Sequence, residues 1–348
     1  MAGAGRHDRT ALPYDNVRET VIRLSLFGPI PVANPMSMDV STKSLHRASR
    51  NRGNIPRLAV SGPDEAVPRQ PRLLRQLRAL RRATWIVSLL LIAMPVQAVL
   101  LMLPGRQKID FAAFFWRSIA RFLGLRVRSL GTPAAGGGRP VIYVCNHSSW
   151  ADIPAVGGRI KACFVSKDDV AGWPIVGTVA RLGRTVFVSR NRTGTLRERD
   201  EMQEKLAAGD ALILFPEGTS SDGSRVLPFR SSFFAAAYGE VKPIIQPVSV
   251  VYDRLANLPV SHANRAVFAW YGDMDLAPHV WQLAQWQGKR VTLLFHAPLD
   301  PLDFADRKAL AQAAWQAVAD GAAALRQNRA TPPVPAAAAI TLAEPAFA

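Results

Sequence analysis

The stretch Val141-Ile-Tyr-Val-Cys145-Asn146-His147-Ser-Ser-Trp-Ala-Asp152-Ile-Pro154 decides how the rest of the chain is read. Its first five residues form an uncharged, apolar run rich in β-branched side chains. A run of that length reads as a strand buried on both faces. Asn146 and His147 end it abruptly, and Ser148–Pro154 reads as a turn entering a helix. A histidine and a carboxylate five residues apart therefore stand where the strand stops, the edge at which open α/β sheets usually bind ligands.

Downstream of Gly131 and an Ala/Gly loop at 134–138, the same kind of alternation continues. The pattern predicts strands over 140–145, 161–166, 185–189, 211–215, 243–251, 265–271 and 290–296. Helices are predicted over 150–157, 173–182, 195–208, 231–238 and 306–327. Strands alternating with helices imply an α/β fold with a central, mostly parallel sheet flanked by helices. Residues 330–348 are rich in Ala and Pro and read as a disordered tail.

Upstream, the chain changes character. Residues 1–69 show no sustained periodicity and read as a disordered basic arm. Over Arg72–Arg82, Leu73, Leu74, Leu77 and Leu80 recur at helical spacing among Arg75, Arg78, Arg81 and Arg82. That is a basic amphipathic helix of the kind that lies on an anionic bilayer. Ala83–Gly105 then carries no charge and is long enough to cross a hydrocarbon core of roughly 30 Å. Pro95 and Gln97 interrupt it, so it reads either as one spanning helix or as a Pro-broken hairpin returning to the same side. Basic residues on both flanks favour the hairpin. The run begins far from the N-terminus and lacks a small-residue cleavage site, which speaks against a signal peptide. Asp110–Leu123 follows as a second amphipathic helix, with Phe111, Phe114, Phe115, Ile119 and Phe122 opposite Arg117 and Arg121. The domain organisation read here is an arm over 1–69, membrane-associated helices over 70–125, a folded domain over 126–329 and the tail.

The 348 residues carry a formal net charge of +17. Residues 1–82 hold fifteen Lys/Arg against six Asp/Glu, so about half of the excess precedes the apolar run. Such a balance implies an anionic partner, nucleic acid or membrane surface. A nucleic-acid-binding reading leaves the apolar run unexplained and finds no basic motif interleaved with aromatics in the α/β region. An anionic membrane surface is the expected partner. Two cysteines, Cys145 and Cys163, make neither a disulfide framework nor a metal set.

Several residues are suited to chemistry. A histidine beside a carboxylate can serve as general base, the carboxylate holding the tautomer. Ser149 and Asp152 also fit a helix capping box, which needs no catalysis. Ser148 and Ser149 stand in no nucleophile elbow. Cys145, inside the strand, reads as a core thiol. Ala211-Leu-Ile-Leu-Phe-Pro-Glu217-Gly218-Thr219-Ser220 is a second buried strand ending in a turn whose glycine permits close backbone approach to a ligand. Gly183-Arg-Thr-Val-Phe187-Val-Ser-Arg190 delivers an arginine at a strand end, and Arg230 is a further cation; arginine captures carboxylate or phosphate bidentately.

In this order and spacing the blocks resemble the phospholipid and glycerol acyltransferase family. Asn146-His147-x4-Asp152 is similar to its first motif, Gly183…Phe187…Arg190 to its second, Phe215-Pro-Glu-Gly-Thr219 to its third, and Ile245-Gln-Pro247-Val to its fourth. The resemblance spans roughly residues 125–300. It implies transfer of a fatty acyl group from a thioester, carried by CoA or an acyl carrier protein, to the hydroxyl of a lysolipid such as 1-acylglycerol-3-phosphate. It implies that His147 deprotonates the hydroxyl and Asp152 orients the imidazole, with no acyl-enzyme, no metal and no cofactor beyond the acyl donor. It also implies that Arg190, Glu217 and Gly218 contact the acceptor headgroup, with Asn146, Phe187, Thr219 and Arg230 as further substrate-binding residues. Residence at a bacterial inner membrane, catalytic domain toward the cytoplasm, goes with that reading.

One departure bears on the acceptor. Members acting on 1-acylglycerol-3-phosphate usually carry Pro-Glu-Gly-Thr-Arg, and here Ser220 replaces the arginine. Phe215–Leu227 and Val165–Gly177 look instead like the branch containing lyso-ornithine lipid acyltransferases, which makes a lyso-ornithine lipid the alternative acceptor. A catalytically inactive lipid-binding scaffold is the alternative from another class, against which the intact His147, Asp152, Arg190 and Glu217 speak.

Overall fold

Val141–Cys145 forms strand β2, and all five residues are buried. Side chains alternate across a strand. Val141, Tyr143 and Cys145 therefore join one hydrophobic cluster, while Ile142 and Val144 join a second on the opposite face. This two-sided burial is why the run is continuously apolar rather than alternating.

The computed structural model describes residues 70–188 and 195–329. The expected basic arm (1–69) and tail (330–348) lie outside the described residues. Around β2 stand β1 (Leu125–Leu130), β3 (Cys163–Lys167), β4 (Val186–Val188), β5 (Leu212–Leu214), β6 (Ile244–Leu255), β7 (Leu258–Pro259) and β8 (Lys289–Phe295). The sheet order is β1-β8-β6-β2-β5-β3-β4, with β7 paired to β6. All neighbours run parallel except β6 with β8 and with β7, so the sheet is mostly parallel as expected.

Helices cover both faces. On the first lie α1 (Arg72–Met102), α2 (Gln107–Phe122), α3 (Asp152–Gly157) and α7 (Leu276–Gln285). On the second lie α5 (Thr195–Ala207) and α8 (Arg307–Arg326). The short helices α4 (Val176–Leu182) and α6 (His262–Arg265) complete the set.

Three expectations are corrected. Residues 265–271 are not a strand: α6 ends at Arg265, and the backbone N–H groups of Val267 and Phe268 turn back to Asn264 and Arg265. The apolar segment plugs the first cluster through buried Val267 and Phe268 instead of pairing in the sheet. Strand β1 and helix α7 were not among the predicted elements. In β1, the alternation Leu-Arg-Val-Arg is legible, but an edge strand needs β8 to make it one.

The third correction concerns the apolar run. α1 continues unbroken through Pro95 to Met102, and the chain reverses only at 103–106 before α2. Gln97 is buried rather than disruptive, because its Nε2 donates to the carbonyls of Lys108 (3.0 Å) and Leu182 (2.9 Å). Both ends of α1 are thereby tied to the domain. Toward its start, Arg82 Nη1 donates to the carbonyls of Ala284 (2.7 Å) and Trp286 (2.5 Å), and Arg78 Nη1 to Gln285 (2.7 Å). Arg75 lies over the Trp286 ring at 5.0 Å. These arginines cap the C-terminal carbonyls of α7, where the helix dipole favours cations. Of the basic face expected to meet a bilayer, Arg75, Arg78 and Arg82 are turned inward, whereas Arg81 stays exposed. Much of what α1 leaves outside is apolar, with Arg72 and Arg81 exposed beside it: Leu73, Leu74, Leu77, Leu80, Trp85, Leu91, Ile92 and Val99 are each more than half exposed.

Candidate active site

His147 leaves β2 two residues beyond Cys145, at the end of the sheet flanked by β5 and β6. Its loop is pinned from several directions. Asn146 is buried and bonded to β6 twice, donating to the Val250 carbonyl (2.9 Å) and accepting from the Val250 N–H (2.7 Å). The His147 carbonyl accepts from Ser221 N (3.0 Å), and the Ser148 carbonyl from Trp270 N (2.9 Å). Little of this backbone is free to move.

Nδ1 of His147 lies 2.9 Å from Oδ2 of Asp152. The same oxygen accepts the backbone N–H groups of Ser148 (2.8 Å) and Ser149 (2.9 Å). The other, Oδ1, accepts the hydroxyl of Tyr252 at 2.6 Å. Asp152 is fully buried, so its charge is carried by this ring of donors rather than by water. With Nδ1–H donated to the carboxylate, the lone pair of the imidazole resides on Nε2. Among the described residues Nε2 has no hydrogen-bond partner. The imidazole stacks on Phe215 at 4.2 Å, which fixes its plane, and remains partly exposed. Half of the expected capping box is present: Asp152 accepts the Ser149 N–H, while Ser149 Oγ accepts from Ala151 N (3.3 Å) and not from Asp152 N.

Glu217 is placed differently from the headgroup contact implied by resemblance. It is buried, with Oε1 accepting the His147 N–H (2.7 Å) and Oε2 the Leu227 N–H (3.0 Å). Burial pushes its carboxyl up to about 8 against the pull of those two donors. Gly218 follows at φ +69°, a left-handed conformation that favours glycine, and the Arg230 guanidinium lies directly over it. Thr219 is exposed, and the N–H groups of Thr219 and Ser220 carry no hydrogen bond among the described residues. Phe187 sits in β4, half-buried. Arg190 lies outside the described residues.

Cys145 is a fully buried free thiol whose ionisation burial opposes, the core role expected of it. Tyr252 was missed. Burial, and then the neighbouring Asp152, hold its phenol protonated far above its ordinary range, so it serves as a donor. Its only sequence signal is a hydroxyl-bearing aromatic near the C-terminal end of a buried strand, a hundred residues from Asp152. No cluster of His, Cys, Asp and Glu suited to a metal occurs among the described residues.

A family model described as acyltransferase matches residues 126–251. The lyso-ornithine lipid O-acyltransferase of Brucella abortus is 37% identical over 233 residues, covering 65% of this chain and 86% of that protein. The chain belongs to this acyltransferase family. The acyltransferase is also 33% identical to the Rhizobium meliloti lyso-ornithine lipid O-acyltransferase over 240 residues, covering 67% of this chain and 82% of that one. The crystal structure of the Thermotoga maritima 1-acyl-sn-glycerophosphate acyltransferase PlsC shares its fold, with a TM-score of 0.52 over 75% of this chain and 98% of that one, at 23% identity.

Proposed function

We propose that this acyltransferase moves a fatty acyl group from a thioester to the hydroxyl of a lysolipid, with His147 as general base and Asp152 as its orienting partner. The observation that carries this reading is the 2.9 Å contact between His147 Nδ1 and Asp152 Oδ2, which leaves Nε2 unpartnered among the described residues. The acceptor hydroxyl hydrogen-bonds to Nε2, and its proton passes there as its oxygen attacks the thioester carbonyl. A tetrahedral oxyanion forms beside an imidazolium stabilised by the Asp152 carboxylate. Collapse breaks the carbon–sulfur bond, and the imidazolium proton passes to the departing thiolate. The free N–H groups of Thr219 and Ser220 and the guanidinium of Arg230 are the donors we assign to the oxyanion and headgroup. Glu217 acts by holding the His147 backbone, and Asn146 by tying the loop to β6.

For the acceptor we favour a lyso-ornithine lipid over 1-acylglycerol-3-phosphate. Both curated relatives reported above bear that name, and Ser220 stands where an arginine would answer a phosphate monoester. An amino-acid headgroup carries a carboxylate and an ammonium instead. Asp222, Arg265 and Arg326 line one cavity with Asn146 and Ser148, a mixed-sign lining that suits such a headgroup.

We assign residues 70–125 to membrane association and 126–329 to the catalytic domain. α1 is long and apolar enough to cross a bilayer. Both its ends are tied to one domain, so we infer that it lies in the interface with its leucine face in lipid. A bacterial inner membrane with the domain toward the cytoplasm is the corresponding location. The test offers purified protein lyso-ornithine lipid and lysophosphatidate side by side with labelled acyl-CoA and acyl carrier protein. Consumption of lysophosphatidate alone rejects the acceptor, and turnover retained in His147→Ala rejects the general base.

A further inference from the structure

Away from His147, three arginines stand abreast. In the sheet register Arg126 of β1 pairs with Arg290 of β8, which in turn pairs with Arg254 of β6. Side chains in register on neighbouring strands share a face, and strands lie only about 4.8 Å apart. Like charges opposite one another destabilise a sheet. Only one of the three is answered. Asp253, at the register shift between Tyr252 and Arg254, accepts from Arg290 Nε (3.0 and 3.1 Å) and Nη2 (2.6 Å). Arg254 makes a single long contact, Nη1 to the Asn257 carbonyl at 3.5 Å, and Arg126 has no ion pair among the described residues. The three side chains, with Asn257, Gly288 and Lys289, line a solvent-open cavity of about 410 Å³.

Two uncompensated guanidiniums converging on a cavity call for a multivalent anion with several acceptor oxygens. We propose that the Arg126–Arg290–Arg254 row is a phosphate-binding site. The phosphate has two available sources, a soluble ligand or an anionic lipid headgroup. Tyr252 pairs with Val291, and both face the cluster that α1 covers. Arg290 precedes Val291 by one position and so faces the other side, away from the apolar surface of α1. That geometry favours a soluble source. The row also lies roughly 15–20 Å along β6 from the level of Cys145. The row thus stands apart from the Tyr252–Asp152 pair, which lies on the opposite side of the sheet, and CoA enters the test as one phosphate-bearing compound among several. The choice of donor rests on the acyl-transfer reading; the phosphate site does not.

The test compares full-length wild type with Arg126→Gln/Arg254→Gln in a neutral detergent. Binding is titrated with inorganic phosphate against chloride at equal ionic strength, with CoA, and with pantetheine, which lacks the phosphate. Flotation is measured on phosphatidylcholine vesicles with and without phosphatidylglycerol. The site predicts phosphate and CoA binding weakened about tenfold per arginine, with pantetheine unchanged. Loss of the phosphatidylglycerol effect with CoA binding intact also supports a phosphate site but assigns it to lipid. Arg307→Gln/Lys308→Gln removes two exposed charges elsewhere. If that variant shows the same loss, or if no phosphate compound distinguishes Arg126→Gln/Arg254→Gln from wild type, the proposal is overturned. Arg126→Gln alone, on an exposed edge-strand side chain, repeats the comparison should the double variant not fold. Because every readout is binding, failure of acyl transfer leaves this outcome legible.

Discussion

The hydroxyl of Tyr252 donates to Oδ1 of Asp152 at 2.6 Å, on the oxygen that His147 does not use. A strand-borne phenol thus holds one side of a buried carboxylate while the histidine holds the other. Tyr252→Phe keeps the ring and its stacking on Phe268 at 4.6 Å but removes that donor. A hydrogen bond to a charged group contributes about 1.5–3 kcal/mol, so we expect kcat to fall roughly ten- to hundredfold with KM for the acceptor little changed. Steady-state kinetics with acceptor varied at saturating donor decide it. A rise in KM at constant kcat would place Tyr252 in binding instead.

Asp152 accepts four donors, so replacing it does more than silence the histidine. Asp152→Asn sets an amide NH2 among N–H and O–H donors and leaves at least one of them unsatisfied, at a cost of about 1–3 kcal/mol. His147→Ala removes a partly exposed ring and spares the carboxylate's other three donors. Both variants are expected to lose turnover, and Asp152→Asn to be the less stable of the two. Thermal unfolding in one detergent ranks them; the reverse order contradicts the account of the loop.

Glu217 makes stability depend on pH. Its native carboxyl is pushed up to about 8 by burial, whereas an unfolded glutamate titrates near about 4.3. The native state therefore binds the proton more tightly. Its contribution is fully present below about pH 4.3 and is lost progressively as pH rises toward about 8. The stability of wild type relative to Glu217→Gln should fall across that window and level off above it. Paired unfolding curves at several pH values test this, and a pH-independent difference would remove Glu217 as the cause.

Arg82 joins α1 to the folded domain. Besides capping α7, its guanidinium crowds the face of Gly124, which sits at φ +72° where a Cβ would collide with it. Arg82→Ala should free two α7 carbonyls and raise hydrogen exchange both in α1 and around Ala284–Trp286. Leu73→Gln/Leu77→Gln alters only exposed side chains of the same helix. That variant should leave exchange unchanged and weaken vesicle binding. Equal exchange in wild type and Arg82→Ala would show that the apolar stripe alone holds the helix.

Much of the fold was legible because it is written in short-range patterns. The apolar run at Val141–Cys145, and those that became β5, β6 and β8, announce strands covered on both faces. The five-residue spacing from His147 to Asp152 sufficed to bring the two side chains together, since a single turn separates them. Residues 265–271 misled for the same reason: an apolar run records that a segment is buried without saying whether it pairs or plugs. α7 escaped because its buried positions, His279, Leu283 and Ala284, are few and mixed in character.

Local pattern by itself determined the α/β alternation, the pairing of His147 with Asp152 and the apolar, positively flanked N-terminal helix. Only the tertiary structure decided that Tyr252 reaches Asp152, that Glu217 turns inward to the His147 backbone, and that Arg78 and Arg82 of α1 face α7 rather than solvent. The physical reason is common to all three. Periodicity specifies which side of an element is apolar, but a charged or hydroxyl-bearing side chain is committed by whichever donor or acceptor the fold brings opposite it.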